Sequence, residues 1–377
     1  MQKDILSLEE VAKKINERPE DIGKFKRLTR DNGYYISNFR HGRGFVLEDS
    51  KIKLKLTFKG TNQPNSFGHF KSKKGYNAKY RCTREFGNHI GEYISSIILK
   101  QLGKKACKVD LGYTTITNPY SGKEIEIEGC LSHSQLREHE MMIPACVAIE
   151  DFKSLSPKKY RTLTERGRTD SEKNYTNVEI ILAAFENKYK KSGQATSIPK
   201  MRKAFFDMCA YDIMFANRDR HDENFGLRVN QETGELSFYH LFDDEQILGM
   251  QECVTDAERY IKSDKEYQRF KEEQLTSCIG IPGQTQQIKS IELLKYLLQK
   301  YPKEILESIE DIDRYKESHL DELFGRVEKM SEAHKILAKK IFVDRRKEVR
   351  EVITEFQNTQ GNTKKTTRDD DDDEVSL

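Results

Sequence analysis

Asp219, Asn224 and Asp243 have the residue types and the spacing needed to handle a phosphate group. Asp219 and Asn224 share the polar run Asn217-Arg218-Asp219-Arg220-His221-Asp222-Glu223-Asn224. Phe225, Leu227 and Val229 then alternate, a turn-like stretch runs from Asn230 to Glu235, and Leu236 and Phe238 alternate again. That pattern predicts a β-hairpin, which folds the chain back on itself. Asp243, just past the second strand, is thereby expected near Asn224, just before the first. One carboxylate can accept a proton while an amide oxygen and a second carboxylate hold a divalent cation. Hard oxygen ligands of this kind suit Mg²⁺ bound to phosphates. Phosphoryl transfer needs this set, a group that orients the nucleophile plus ligands for the metal that neutralises the phosphates. A run of Asn, Asp, Arg and His alone more often marks a solvated loop. The segment before it counts against that reading. Phe205, Phe206, Cys209, Ile213 and Phe215, with Met208, Ala210 and Met214 between them, are too apolar for a surface helix and predict a buried one.

An Asp, an Asn five residues on, a hairpin and a second Asp resemble the catalytic order of protein kinases. The wording Asn217-Arg218-Asp219-Arg220-His221-x-x-Asn224 is similar to the loop of the HipA-like bacterial Ser/Thr kinases, their small CtkA-like members included, and of the phosphoinositide kinases. In both, the His follows the Asp. The resemblance implies ATP and Mg²⁺ as cofactors and transfer of the γ-phosphoryl group to a Ser or Thr of a protein substrate, with the kinase itself able to serve as one. It makes Asp219 the catalytic residue, Asn224 and Asp243 the metal ligands, and His221 a brace for the loop. The family's metal Asp is often followed closely by Gly, whereas Asp244 and Glu245 follow here, so Asp243 and Asp244 both stand as candidates.

The elements that must position these groups lie upstream. Ile52, Leu54, Leu56 and Phe58 alternate with lysines and Thr57, a half-buried strand. The following loop, Gly60 to Gly68, is rich in Gly, Asn and Ser. It can turn backbone N–H groups onto phosphates, or simply join two strands; it is not a Walker A loop. The resemblance makes it the phosphate-covering loop, with Gly60, Ser66 and Gly68 as contacts and Ser66 as the site of self-phosphorylation, Thr61 being the one other hydroxyl in the loop. It also makes Lys71, in Phe70-Lys71, the phosphate-contacting lysine, ahead of Lys73 and Lys74. Ile90, Ile94, Ile97 and Ile98 predict a helix over Asn88 to Leu102 with Gly103 as its C-cap. Glu92 lies about 160° from Ile94 on that helix, which leaves it solvated or facing a cleft. The match of Gly91-Glu92-Tyr93-Ile94 and Leu102-Gly103 to small HipA-like kinases makes it the partner of Lys71. Val109 to Ile116, Lys123 to Cys130 and Met141 to Ile149 read as strands. In the kinase plan the last leads into a hinge that binds adenine between Val147 and Phe152, with Glu150 and Phe152 among the contacts.

A chain of 377 residues suits two lobes better than one core. The expected fold is α+β and two-lobed, protein-kinase-like: an N-terminal helical region over residues 1–20, opened by a capping box at Ser7 and Glu10, a strand-rich N-lobe over 21–150, a helical C-lobe with the catalytic loop over 151–357, and a disordered acidic tail over 358–377. Ser154 to Asn174 reads as an exposed loop. Helices are expected at Val178 to Tyr189, Ser290 to Tyr301, Glu304 to Ile312, His319 to Met330 and Ala333 to Phe356. The net charge is +3, and setting aside the six acidic residues Asp369 to Glu374 leaves about +9, a balance that permits phosphate-rich ligands. Lys339, Lys340, Arg345, Arg346 and Lys347 offer a basic face for nucleic acid, or a solvated helix face. The seven scattered cysteines include no CxxC pair, which argues for free thiols and against a zinc site. No apolar run approaches the roughly 20 residues of a membrane helix. A cytoplasmic protein is expected, with a secreted effector acting in a host cytosol as the alternative. Two rival functions carry forward: a lipid kinase, and a non-catalytic kinase-like regulator that binds protein or DNA.

Overall fold

The computed structural model describes residues 4–28, 34–36, 53–58, 67–72, 74–77, 82–85, 87–117, 124–164, 176–284 and 287–369. The N-terminal part is built on β1 (Lys26–Arg27), β2 (Tyr34–Ile36), β3 (Lys53–Phe58), β4 (Phe67–Ser72), β7 (Val109–Thr117) and β8 (Glu124–His133). They form one sheet in the order β1-β7-β8-β4-β3-β2, antiparallel except where β1 joins β7. β5 (Lys74–Asn77) and β6 (Cys82–Glu85) make a separate hairpin. α1 (Leu8–Lys14) starts at the expected capping box, with Ser7 and Glu10 each bonding the other's backbone.

α2 (Asn88–Gln101) is the piece between the two parts. It packs on β7 and β8, is touched by α1, and meets the chain at Ile247–Gly249, past the hairpin expected before Asp243. It is therefore buried nearly all round, Glu92 included. Several of its polar groups are hydrogen-bonded: Ser95 shares a hydrogen bond with the Tyr211 hydroxyl (2.7 Å), Ser96 donates to the Cys107 carbonyl (2.6 Å), and Tyr315 donates to Gln101 Oε1 (2.7 Å). Gly91 sets the closeness of approach, since a Cβ there would stand 2.4 Å from the Glu245 carbonyl oxygen.

The second part is mainly helical: α3 (Ala145–Leu155), α4 (Pro157–Thr164), α5 (Val178–Lys191), α6 (Ile198–Met214), α7 (Val254–Lys262), α8 (Asp264–Gln274), α9 (Ser290–Lys300), α10 (Pro302–Asp313), α11 (Glu317–Arg326) and α12 (Glu332–Asp369). A three-stranded sheet, β9 (Glu140–Pro144), β10 (Gly226–Asn230) and β11 (Leu236–Phe238), stands at its junction with the first part; β12 (Thr276–Ser277) and β13 (Ile288–Lys289) pair separately. α6 is the buried helix read from its apolar run, with Phe205, Phe206, Met208 and Met214 fully enclosed. At 25 cal/mol per Å², burial of each such side chain favours folding by about 1.5–3 kcal/mol.

Three expectations need correction. The strand read over Met141 to Ile149 ends at Pro144, and Ala145 to Leu155 is helix. Ala145, Ala148, Ile149 and Phe152 are buried at helical spacing. The strand-rich part therefore hands over through residues 134–139, between β8 and β9, rather than near 150. Within the expected loop over Ser154 to Asn174, α4 forms, and residues 165–175 lie outside the described ones. The last helix continues to Asp369, into the stretch read from composition as tail.

Candidate active site

The polar run after α6 folds back under a buried arginine. Arg220 is 1% exposed and holds both Asp212 oxygens (3.0 and 3.1 Å) and the carboxylate of Asp244. Its remaining nitrogen reaches two backbone carbonyls, Asn224 (3.1 Å) and Phe242 (3.0 Å). A rigid guanidinium with five donors suits such a node. It ties Asn224, ahead of β10, to Phe242 and Asp244, after β11 and on either side of Asp243. Burial pushes the Asp212 carboxyl above its usual range, with Arg220 acting against that shift. Asp244 is also pushed up, first by burial, with Arg220 opposing and Glu92 and Asp212 adding to the rise.

Asp243 and Asp244 thereby differ in surroundings. Asp244 is buried on Arg220 and Asn217 (3.3 Å to the Asn217 amide). Asp243 is half-buried, in the left-handed region (φ 58), and its N–H donates to Glu92 Oε1 (3.1 Å). Ala216, on the other side of the loop, is also left-handed (φ 52). Non-glycine residues rarely adopt this conformation, and such strain gathers at functional sites.

Asn224 is held through its amide nitrogen, which donates to the Asp219 carbonyl (2.9 Å) and leaves Oδ1 to act as a ligand. The Asp219 carboxylate is held by a side chain that sequence reasoning missed. Gln246 Nε2 donates to Asp219 Oδ2 (2.6 Å), and Gln246 Oε1 accepts from Arg218 Nε (3.0 Å). Arg218 in turn contacts Gln274, at the end of α8, and its carbonyl accepts from the Cys278 thiol (3.0 Å). Burial, and Asp219 nearby, push that thiol up to about 11. His221 joins the loop through its backbone, bonding the Asp219 carbonyl (2.8 Å) and the Asn224 N–H (2.9 Å).

The upstream candidates divide. Glu92 is brought to the site, 2% exposed and against Asp243. Lys71 lies on β4, opposite Cys130 on β8 and Lys53 on β3. Gly68 lies opposite His133, where β8 leaves for the 134–139 connection. Gly60, Ser66 and Lys73 lie outside the described residues. Glu150 and Phe152 are not brought to the site: Phe152 is buried in the α3 face, and Glu150 is exposed beside Lys153. The basic face on α12 is largely neutralised: Lys339 pairs with Asp321, Lys340 with Asp264 and Arg346 with Asp313, while Arg345 is buried on the Ile213 carbonyl. Among the described residues no helix is long and apolar enough to cross a membrane.

No protein-family model and no curated protein matches the chain. Solved structures do. The chain has the kinase-like fold of a Helicobacter pylori proinflammatory kinase, CtkA, with a TM-score of 0.61 at 16% identity over 83% of this chain and 97% of that one. A looser overlay, TM-score 0.44 at 13% identity, covers 93% of this chain and 73% of its match in a Shewanella oneidensis toxin–antitoxin complex of HipA, HipB and operator DNA. The mixed α/β, two-part architecture is thus kinase-like, as the loop wording implied.

Proposed function

We propose that the protein is an ATP- and Mg²⁺-dependent phosphotransferase acting on Ser or Thr of a protein. The observation that supports this reading is that Gln246 holds the Asp219 carboxylate while Arg220 gathers the Asn224 carbonyl with Phe242 and Asp244, the two residues that flank Asp243. The donor set fits the cation: an amide oxygen and a carboxylate are hard ligands of the kind Mg²⁺ takes with phosphates. Bound there, Mg²⁺ would neutralise charge on the transferring phosphates. Asp219 orients the acceptor hydroxyl and takes its proton, a contribution of about 10²–10⁴-fold. Glu92 fixes the backbone of Asp243 and stands ready for an ammonium, which Lys71 would supply together with phosphate contacts. With the strand ending at Pro144, the reading puts adenine against residues 134–139, between β8 and β9, where Gln135 N–H donates to the Tyr239 hydroxyl (3.0 Å).

The test is incubation of the purified protein with labelled ATP, with Mg²⁺ or with EDTA, beside a cell lysate and phosphoinositide vesicles. Mg²⁺-dependent phosphate on Ser or Thr, located by mass spectrometry, is the expected result. Label only in lipid would favour the lipid-kinase reading. Absence of both transfer and ATP binding would favour the non-catalytic one.

A further inference from the structure

β11 is the outer strand of its three-stranded sheet. Its inward rungs are closed: Tyr239 N–H donates to the Gly226 carbonyl (3.0 Å) and Asn230 N–H to the Glu235 carbonyl (2.9 Å). Rungs alternate in an antiparallel pair, so Leu236 and Phe238 turn their backbone groups outward. An amide already sits on that edge. Gln194 Oε1 accepts from Leu236 N–H (2.9 Å) while Gln194 Nε2 donates to the Gly234 carbonyl (2.8 Å). A side chain thus bonds the strand as the backbone of an added strand would. Phe238, one rung on, has no such partner among the described hydrogen bonds.

Beyond this edge is a cavity of about 400 Å³, between β11, the start of α6 and the end of α2. Leu99, Met201, Leu236 and Leu241, all buried, supply apolar lining. Four lysines stand around it. Lys104 and Lys203 share Asp207 and Asp311. Lys105 and Lys200 are exposed and pair with no carboxylate among the described residues. Partial burial, Arg228 and Lys200 hold the Lys105 ammonium below its usual range against the opposing pull of Glu235, which lines the groove with Asp207, so the four lysines outnumber the two lining carboxylates.

We propose that this groove docks an extended acidic segment of a protein partner, added as a strand to β11 with its carboxylates on Lys105 and Lys200. The open rung calls for a peptide backbone, which a nucleic acid lacks, and the apolar lining takes alternate side chains of a strand. The lysines supply the complementary charge. The site is separate from the catalytic loop and does not depend on the reading of that loop.

A fluorescein-labelled peptide with the sequence of residues 369–377, DDDDDEVSL, supplies an acidic backbone strand with apolar Val375 and Leu377 at alternate positions and serves as the probe. It is titrated into the full chain by fluorescence anisotropy. Saturable binding is expected, weakened roughly tenfold or more by Lys105→Glu with Lys200→Glu, with phosphoryl transfer and melting temperature unchanged. N-methylation of alternate peptide nitrogens should weaken it comparably. No binding, or equal binding to the lysine variant, overturns the site. Equal binding of the N-methylated peptide overturns strand addition. If cutting the chain after Asp369 tightens peptide binding roughly tenfold, the occupant is the chain's own acidic run and the partner assignment falls.

Discussion

Gln246→Met should slow phosphoryl transfer without unfolding the protein or weakening nucleotide binding. The side chain is partly exposed and of similar length in the variant, so packing changes little. What is lost is one hydrogen bond to the Asp219 carboxylate (2.6 Å) and one from Arg218 (3.0 Å). A hydrogen bond to a charged group contributes about 1.5–3 kcal/mol. If the Asp219 bond acts only on the geometry of proton acceptance, that range predicts a fall of roughly 10- to 150-fold in kcat. The bond to Arg218 adds to this only indirectly, through the placement of Gln246. The assay is single-turnover self-phosphorylation with labelled ATP, alongside ATP affinity by calorimetry and a melting curve. Gln246→Glu should not rescue, since it sets a second carboxylate against Asp219. An unchanged rate would refute the positioning argument. A rate that falls in step with the melting temperature would show a merely structural role.

Other consequences can be checked separately. Arg220→Met should destabilise by roughly 3–5 kcal/mol, because Asp212 and Asp244 are left buried without their cation; a urea midpoint like that of the wild type would contradict the node. Lys71→Ala should weaken productive ATP use while Lys74→Ala, on the separate β5–β6 hairpin, should not, as ATP titration of the initial rate would show. His240 is held down to about 4 by burial and by Lys105, Arg228, Lys100 and Arg137. Its folded value lies below the unfolded 6.5, so the unfolded chain binds the extra proton and stability is lost as pH falls from 6.5 toward 4. At pH 5 this amounts to at most about 2 kcal/mol, and denaturant melts should show the slope vanish in His240→Phe.

The stretch from Phe205 to Asp243 was legible because its signals are local. An apolar run, a polar run and two alternations specify helix, loop and hairpin, and the hairpin alone brings Asp243 back to Asn224. The choice between Asp243 and Asp244 was not legible, since it depends on which carboxylate Arg220 and Asn217 take up. Gln246 carried no signal, because its partner Asp219 lies across the hairpin and its clamp depends on Arg218 and α8. Glu92 was placed off the apolar face correctly, yet it is buried, because α2 is covered on all sides by β7, β8, α1 and the chain near Glu245. The end of the strand was misread because apolar alternation over Met141 to Ile143 merges with the helical pattern from Ala145, and only pairing of β9 with β10 separates them.

The central claim is that Asp219 accepts the hydroxyl proton beside a cation held by Asn224 and Asp243. The most direct measurement compares wild type with Asp219→Asn in transfer from γ-labelled ATP, with Mg²⁺-dependent ATP binding recorded on the same samples. The account predicts binding retained and transfer reduced about 10²–10⁴-fold. Transfer at the wild-type rate in a folded, ATP-binding Asp219→Asn protein would contradict it.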